Sequence, residues 1–334
     1  MTDSRLDSLP DSRLDRWTHP AVILVATDLS DLDRLMPFAL EQAAETGARL
    51  ILLHAIATAA AMSVDAVGMP YYDPSAALDF AEKELKPWCD AASRRNITCN
   101  GLVREGHPTQ QIATAARQFQ ADRILLGTRS RGRLGKILLG SVAEQVLRSV
   151  NLPVFTVGPE AHLASKSRYL GGHEERVVLH ATTLRETSRP SAALACKMAA
   201  SLKAKLVLLN VLPPPNVLPN LDEMQSGGLP TGVDSAAMRE LRLLAEETGQ
   251  GCCLTIEPVV VHGNPSIEIL AEASARNASF IVLGATHRLA FENLTRDRTV
   301  YQVLAHARCP VLTIREPMSR ADQTPAEGVE AFHA

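Results

Sequence analysis

The stretch REGHPTQQIATAARQFQADRILLGT, Arg104 to Thr128, recurs later in the chain as VHGNPSIEILAEASARNASFIVLGA, Val261 to Ala285. Three markers keep one spacing of 157 positions between the two copies: Pro108 with Pro265, Gly127 with Gly284, and Pro153 with Pro310. A constant spacing over this length indicates two homologous units with no net insertion between the markers.

The front ends of the two copies match as well. VILVATDLS from Val22 parallels VVLHATTLR from Val177, and ARLILLHAI from Ala48 parallels AKLVLLNVL from Ala204. We therefore predict two homologous domains, with polar segments before, between and after them. The predicted divisions are a disordered arm (1–19), domain 1 (20–158), a polar linker (159–174), domain 2 (175–316) and a disordered tail (317–334).

Each domain alternates short apolar runs with amphipathic helical patterns. In the quoted stretch, Gln110 to Phe119 has the spacing of a helix and Arg123 to Gly127 that of a buried strand. The earlier run AVILVAT, from Ala21, is a continuous aliphatic stretch, as in strands buried on both faces. This order predicts an α/β fold, with two tandem doubly wound parallel sheets covered by helices on both faces. Such sheets bind ligands outside the carboxyl ends of their strands.

Composition narrows the class of protein. The chain has 334 residues, of which 46% are hydrophobic and 21% charged, as in ordinary globular proteins. Its net charge of -3 argues against a general nucleic-acid binder. No charge-free apolar run reaches the length of a membrane helix, and the first residues lack a secretory apolar core. We expect a cytoplasmic protein with no nucleic-acid or membrane partner.

The six cysteines form no CxxC pair, so neither a disulfide scaffold nor a zinc site is expected. We interpret them as reduced thiols in a cytoplasmic protein. The adjacent Cys252 and Cys253 leave two readings open. They are either a redox-active pair or two residues on alternate faces at the start of a strand.

The glycine- and arginine-rich loop LGTRSRGRLGKILLGS, Leu126 to Ser141, lies between a strand end and a helix start. Backbone N–H groups and the positive end of the helix dipole collect there, which suits a phosphate group. The loop lacks both GxxxxGK[ST] and GxGxxG, so neither common nucleotide loop applies. Ser141 with Glu144 also fits a helix-capping pattern, and its hydroxyl is alternatively free to donate to phosphate.

The spacing that fits is Gly127-x2-Ser130-x9-Gly140-Ser141, which resembles the ATP-binding motif G-x2-G-x9-G-[ST] of the universal stress protein family. Flanking segments support the resemblance over both domains: ATD at 26–28, LLHA at 52–55, GHP at 106–108, SVAEQVLR at 141–148 and LPVFTV at 152–157. It implies a Rossmann-like fold of the adenine nucleotide alpha hydrolase type. Ser130 departs from the motif, because the family has a second glycine there.

The resemblance also implies a set of ATP contacts in domain 1. Asp28 would lie near the adenine and ribose, with the pocket backbone around it, and the loop ends would hold the phosphates, with Mg²⁺ on them. The implied residues are Ala26, Thr27, Asp28, Ala55, Leu126, Gly127, Arg129, Ser130, Gly140, Ser141 and Val142. Other readings stay open: Asp28 could cap the next helix, and the arginines could form a solvated face. His54 and His107 are interpreted as structural or solvent-facing.

Domain 2 departs much further from the motif. Gly284 remains, but His287, Asp297 and Arg298 occupy the next three motif positions, and Thr183 replaces the acid of the first strand. A carboxylate at the phosphate position would oppose an anion. We predict that domain 2 does not bind ATP in this way and serves packing or regulation.

The last strands of the two domains, residues 153–157 and 310–314, would otherwise be exposed sheet edges. In proteins that this sequence resembles, the last strand commonly pairs across a dimer interface. We therefore predict an intramolecular pseudo-dimer in which these two strands are adjacent, and which is open to further homodimerisation.

The resulting expectation is an ATP-binding universal stress protein, with the nucleotide as a regulatory ligand in stress response. No arranged general base is visible, so no enzymatic activity is expected, with slow ATP hydrolysis left open. The alternative is a nucleotide-independent interaction module whose site has decayed. A phosphotransferase is disfavoured, because no acceptor or metal cluster is visible.

Overall fold

In a computed structural model of the chain, the structure describes most of both domains. The described residues are 10–56, 74–128, 139–161, 175–214, 231–250, 254–286 and 298–316. The predicted tail over 317–334, most of the linker, and both Cys252 and Cys253 lie outside them.

Domain 1 alternates strands and helices in the predicted order, after one preceding helix that the sequence does not predict. Its elements are α1 (Asp11–Thr18), β1 (Val22–Thr27), α2 (Leu32–Thr46), β2 (Arg49–Ile56), α3 (Pro74–Ser93), β3 (Cys99–Glu105), α4 (Pro108–Gln118), β4 (Arg123–Gly127), α5 (Ser141–Ser149) and β5 (Val154–Val157). All six residues of β1 are buried, as expected for a strand covered by helices on both faces.

From its first strand onward, domain 2 repeats this order in the residues that the structure describes. Its elements are β6 (Val177–Ala181), α6 (Arg189–Ser201), β7 (Lys205–Leu212), α7 (Thr231–Gly249), β8 (Ile256–His262), α8 (Pro265–Ala275), β9 (Phe280–Thr286), α9 (Arg298–His306) and β10 (Val311–Glu316). A short 3-10 turn over Glu186–Ser188 precedes α6.

The strands form one ten-stranded sheet in the order β3-β2-β1-β4-β5-β10-β9-β6-β7-β8. Neighbouring strands are parallel within each domain, which confirms the predicted α/β class with tandem Rossmann-like domains. At the centre, β5 and β10 are antiparallel neighbours, with Phe155 opposite Leu312. The last strands of the two domains therefore cover each other's edges, as the sequence predicts.

Two apolar cores lie on opposite faces of this sheet, and each contains side chains from both domains. Where the strands meet, three aromatic rings pack edge to face. The ring of Phe155 lies 5.0 Å from that of Phe38 and 5.4 Å from that of Phe280. The guanidinium of Arg123 lies 5.3 Å from the centre of the Phe155 ring. This cluster joins α2, β4 and β5 of domain 1 to β9 of domain 2.

The prediction of disorder over residues 1–19 is wrong for the part that the structure describes, because residues 11–18 form α1. Leu14 and Trp17, three positions apart, share one helix face and are both buried. Arg16 binds the Asp122 carboxylate at 2.5 Å, and Asp15 binds Lys197 of α6 at 2.7 Å. The arm is mostly polar, so its composition predicts disorder although Leu14 and Trp17 form a short apolar face. Residues 1–9 lie outside the described part.

Candidate functional site

A pocket of about 240 Å³ lies at the carboxyl ends of β1, β2 and β4 in domain 1. The fold class predicts a ligand site at this edge of the sheet. The predicted residues that line it are Ala26, Thr27, Asp28, Ala55, Leu126, Gly127, Gly140, Ser141 and Val142. The other two, Arg129 and Ser130, lie outside the described residues.

The first turn of α5 forms one wall of the pocket. Gly140 is the N-cap residue and, as a glycine, it provides no side-chain cap. Ser141, Val142 and Ala143 line the pocket, and N–H groups in a first helical turn have no partner within the helix. Backbone donors that have no partner within the helix, and the positive end of the helix dipole, therefore lie beside the cavity, an arrangement suited to an anion.

The capping pattern expected for Ser141 and Glu144 does not form. Ser141 is the first helical residue and not the cap, and Glu144 instead binds Arg148 at 2.8 Å. The Ser141 side chain is exposed at the mouth of the pocket. Of the two readings that the sequence leaves open, the structure favours a hydroxyl available to a ligand.

Asp28 occupies the turn between β1 and α2. Its Oδ1 accepts hydrogen bonds from the backbone N–H of Ser30 at 2.9 Å and from the Ser30 hydroxyl at 2.6 Å. The N-cap position of α2 belongs to Asp31, so Asp28 does not cap that helix. The turn also holds Leu29 at a φ of 72°, a left-handed conformation that is costly for a branched side chain. This local structure fixes the Asp28 carboxylate, which is exposed, at the pocket.

Asp31 is a buried acid of the pocket that the sequence does not single out. Its Oδ1 accepts a hydrogen bond of 2.5 Å from the Thr27 hydroxyl. Its other carboxylate oxygen lies against Gly127, where any Cβ atom would collide with it. Glycine at position 127 thus leaves the space that the Asp31 carboxylate occupies. Burial raises the pKa of Asp31 to about 6; the Thr27 hydrogen bond opposes this rise, and the charge of Asp28 adds to it.

This raised pKa predicts a pH-dependent stability. The folded chain holds the Asp31 proton more tightly than the unfolded chain, so the free energy of unfolding falls as pH rises from 3.8 to about 6. We expect Asp31→Asn to remove this slope and to raise the free energy of unfolding at neutral pH by on the order of 2–3 kcal/mol. Urea unfolding across this pH range measures it, with exposed Asp33→Asn on the same helix as the control. An unchanged slope in Asp31→Asn would contradict the assignment.

His54, at the end of β2, also lines the pocket. Its Nδ1 lies 2.9 Å from the Thr27 carbonyl oxygen, so the ring donates to that oxygen. In domain 2, Asn210 donates from Nδ2 to the Thr182 carbonyl at 2.9 Å. The two copies thus tie their first two strand ends together by equivalent bonds, which supports a structural role for His54. The apolar side of the pocket includes Pro108 and Ile112 of α4, which the sequence does not assign.

The described part of domain 2 lacks the acid at the corresponding turn. Thr183 lies there, and its hydroxyl is 3.0 Å from that of Ser188. Gly284 lies within β9, which ends at Thr286. The predicted motif positions His287 and Asp297 fall outside the described residues, and Arg298 begins α9.

Domain 2 nevertheless contacts domain 1 beside the pocket. The backbone N–H of Leu139, next to Gly140, donates to the hydroxyl of Tyr301 on α9 at 3.2 Å. Close by, Gly158 packs against α9, and a Cβ there would lie 3.3 Å from the Ala307 carbonyl oxygen. One end of the candidate site is therefore held by the other domain.

Comparison with known proteins identifies the family of both domains. The universal stress protein family matches the chain at residues 21–158 and again at residues 175–315. The chain belongs to the universal stress protein family. It contains two tandem copies of the family domain, which confirms the resemblance carried by the loop spacing.

Individual relatives match either one domain or the pair. A universal stress protein of Thermus aquaticus is 31% identical over 137 residues, which cover 40% of this chain and 96% of that protein. One of Methanocaldococcus jannaschii is 27% identical over 136 residues, 40% of this chain and 80% of that protein. The crystal structure of a universal stress protein from Archaeoglobus fulgidus covers 90% of this chain and 98% of its own, with a TM-score of 0.65 and 18% identity. At this identity the last match shows the fold alone.

Proposed function

We propose that domain 1 binds ATP as a regulatory ligand, in a cytoplasmic protein of the stress response. The observation that carries the proposal is the uncapped first turn of α5, which faces a pocket at the carboxyl edge of a parallel sheet. Family membership supports the location and the stress role in this proposal. None of the described helices is long and apolar enough to cross a membrane.

In this proposal the two ends of the pocket take different parts of the nucleotide. Asp28 accepts hydrogen bonds from the ribose or adenine, and the backbone of Ala26 and Ala55 borders the base. The N–H groups of the first turn of α5 and the Ser141 hydroxyl bind phosphate oxygens. Arg129 and Ser130 complete the loop by analogy with the family motif. Mg²⁺ would be bound by the phosphates of the nucleotide, since the described residues include no cluster of His, Cys, Asp or Glu that could hold a metal.

The proposal gives domain 2 a supporting role. It lacks the acid at position 183 and has Asp297 where a phosphate-binding glycine would lie. In the proposal the two domains form an intramolecular pseudo-dimer, which the pairing of β5 with β10 supports, and further homodimerisation uses other surfaces. ATP acts by occupying the pocket, and no catalytic step is proposed.

The second candidate is a nucleotide-independent interaction module. The observation that favours it is Ser130, which replaces the second glycine of the family motif. A backbone with φ above zero at that position would cost a serine on the order of 1 kcal/mol.

Calorimetric titration of the chain with Mg·ATP separates these two candidates. We expect one ATP per chain, and an affinity about 10- to 100-fold weaker in Asp28→Ala, because one charge-assisted hydrogen bond is lost. Thr183→Ala, at the equivalent turn of domain 2, is the matched control and should bind as the parent does. No heat of binding in the parent chain would favour the interaction module.

The contact from domain 2 gives a separate prediction. We expect Tyr301→Phe to weaken ATP binding roughly 2- to 10-fold, because the Leu139 N–H loses its acceptor at the loop end. The same titration measures it, with His306→Ala at the exposed end of the same helix as the control. Equal affinities in the parent and Tyr301→Phe would show that domain 2 does not support the loop.

A further inference from the structure

Two cysteines of domain 1 lie in direct contact, away from the pocket. Cys89 is near the end of α3 and Cys99 is the first residue of β3. Their sulfur atoms are 3.2 Å apart, and both side chains are partly exposed. A disulfide has an S–S distance of about 2.05 Å, so side-chain movements of about 1 Å in total would close the bond.

The fold does not require a cysteine at this strand position. Cys99 pairs in register with Leu50, and the equivalent strand pair of domain 2 places Ile256 opposite Leu206. An aliphatic side chain thus fills the corresponding place in the second copy. In domain 1, Gly101 leaves room beside the pair, since a Cβ there would lie 3.7 Å from the Cys89 sulfur.

The two thiols differ in chemical character. The hydrogen bond from Cys99 lowers the pKa of Cys89, although burial and the charge of Asp90 oppose this, and the same bond raises the pKa of Cys99. Cys89 is therefore the better nucleophile, since the thiolate is the reactive form. By contrast, Cys196 and Cys309 are buried, and burial raises the pKa of Cys309 to about 12. The described part of the chain thus contains an accessible thiol pair and two inert thiols.

We propose that Cys89 and Cys99 form a reversible oxidation site, at which hydrogen peroxide joins α3 to β3 through a disulfide. The Cys89 thiolate attacks one peroxide oxygen, the O–O bond breaks, and Cys89 sulfenic acid and one water form. The Cys99 sulfur then attacks the Cys89 sulfur, the S–O bond breaks, and a second water leaves. Two electrons pass from the thiols to the peroxide, and the two thiol protons end in the two waters. A dithiol reductant restores the thiols by exchange.

The position of the bond determines its effect. β3 is an outer strand of the ten-stranded sheet, and α3 packs along it. A covalent link there holds α3 against the outer strand of domain 1. It also lowers the conformational entropy of the unfolded chain. Oxidation should therefore raise the melting temperature of the chain by several degrees.

Peptide mapping tests the proposal. The chain carrying Cys252→Ser and Cys253→Ser is treated with hydrogen peroxide, alkylated, digested without reductant and analysed by mass spectrometry. We expect one linked peptide pair containing Cys89 and Cys99, lighter by two hydrogens than the separate peptides and split by dithiothreitol. Cys196 and Cys309 should become alkylated only after unfolding.

Cys99→Ser serves as the matched variant, because its hydroxyl can still donate a hydrogen bond to the Cys89 sulfur but cannot form a disulfide. It should leave Cys89 at the sulfenic acid stage, where dimedone traps it, and should remove the rise in melting temperature. Cys99→Ile, which copies the residue of domain 2, lacks this donor, so it should remove the rise in melting temperature and also slow the oxidation of Cys89. Two unmodified thiols at these positions after peroxide treatment of the folded chain would overturn the proposal. A disulfide from Cys89 to any other cysteine would overturn it too.

Discussion

Gly140→Asp is expected to lower the affinity of the chain for ATP by at least about 100-fold, which amounts to nearly 3 kcal/mol. Gly140 is the N-cap residue of α5 and lines the pocket, so a carboxylate there would lie beside the proposed position of the phosphates. Juxtaposed like charges cost several kcal/mol at a binding interface. The substitution places in domain 1 the residue that domain 2 has at position 297.

The control for Gly140→Asp keeps the added charge and moves it along the same helix. Ser149→Asp places a carboxylate at the exposed final residue of α5, far from the first turn. Calorimetry with Mg·ATP should give the parent affinity for Ser149→Asp and no measurable binding for Gly140→Asp. Thermal unfolding shows whether each variant stays folded. A folded Gly140→Asp variant that binds as the parent does would place the phosphates elsewhere.

Phe155→Ala is expected to lower the free energy of unfolding by about 3–5 kcal/mol. The Phe155 ring is fully buried where β5 meets β10, between Phe38 of domain 1 and Phe280 of domain 2. Truncation leaves a cavity between the domains and removes two edge-to-face contacts. It also leaves the buried Arg123 guanidinium without the ring beside it.

Urea unfolding measures the effect of Phe155→Ala, and Phe80→Ala is its control. Phe80 lies on α3 with 58% of its surface exposed, so the same truncation there should change the free energy of unfolding by less than about 0.5 kcal/mol. A loss at Phe155 as small as that at Phe80 would show that the junction of β5 and β10 does not stabilise the chain.

Much of the fold is predictable because the repeat and the apolar runs depend on local sequence. The run from Val22 is a fully buried strand, and Arg123 to Gly127 is a strand with the predicted bounds. The adjacency of β5 and β10 follows from the cost of leaving two sheet edges exposed. The α1 helix is not predicted from the sequence, because its composition is polar. It is stabilised instead by the burial of Leu14 and Trp17 in the folded chain.

The candidate site is predictable only in part. The loop spacing identifies Gly127, Gly140 and Ser141, which line the pocket, since a motif records positions along the chain. Asp31, Tyr301 and Ile112 reach the site by folding, and no short motif connects them to it. For Asp31 a signal exists in retrospect: an acid four positions after Thr27, at the start of a helix, can turn back to the strand end. Tyr301 belongs to the other domain, so its contact becomes visible only once the pairing of β5 with β10 is known.

The most direct measurement is the nucleotide content of the freshly purified chain. The protein is denatured with acid, and the released small molecules are identified by mass spectrometry and quantified against protein concentration. We expect close to one adenine nucleotide per chain, predominantly ATP, and none from Gly140→Asp. A chain that releases no nucleotide, and that binds none when Mg·ATP is added, would contradict a nucleotide site in domain 1.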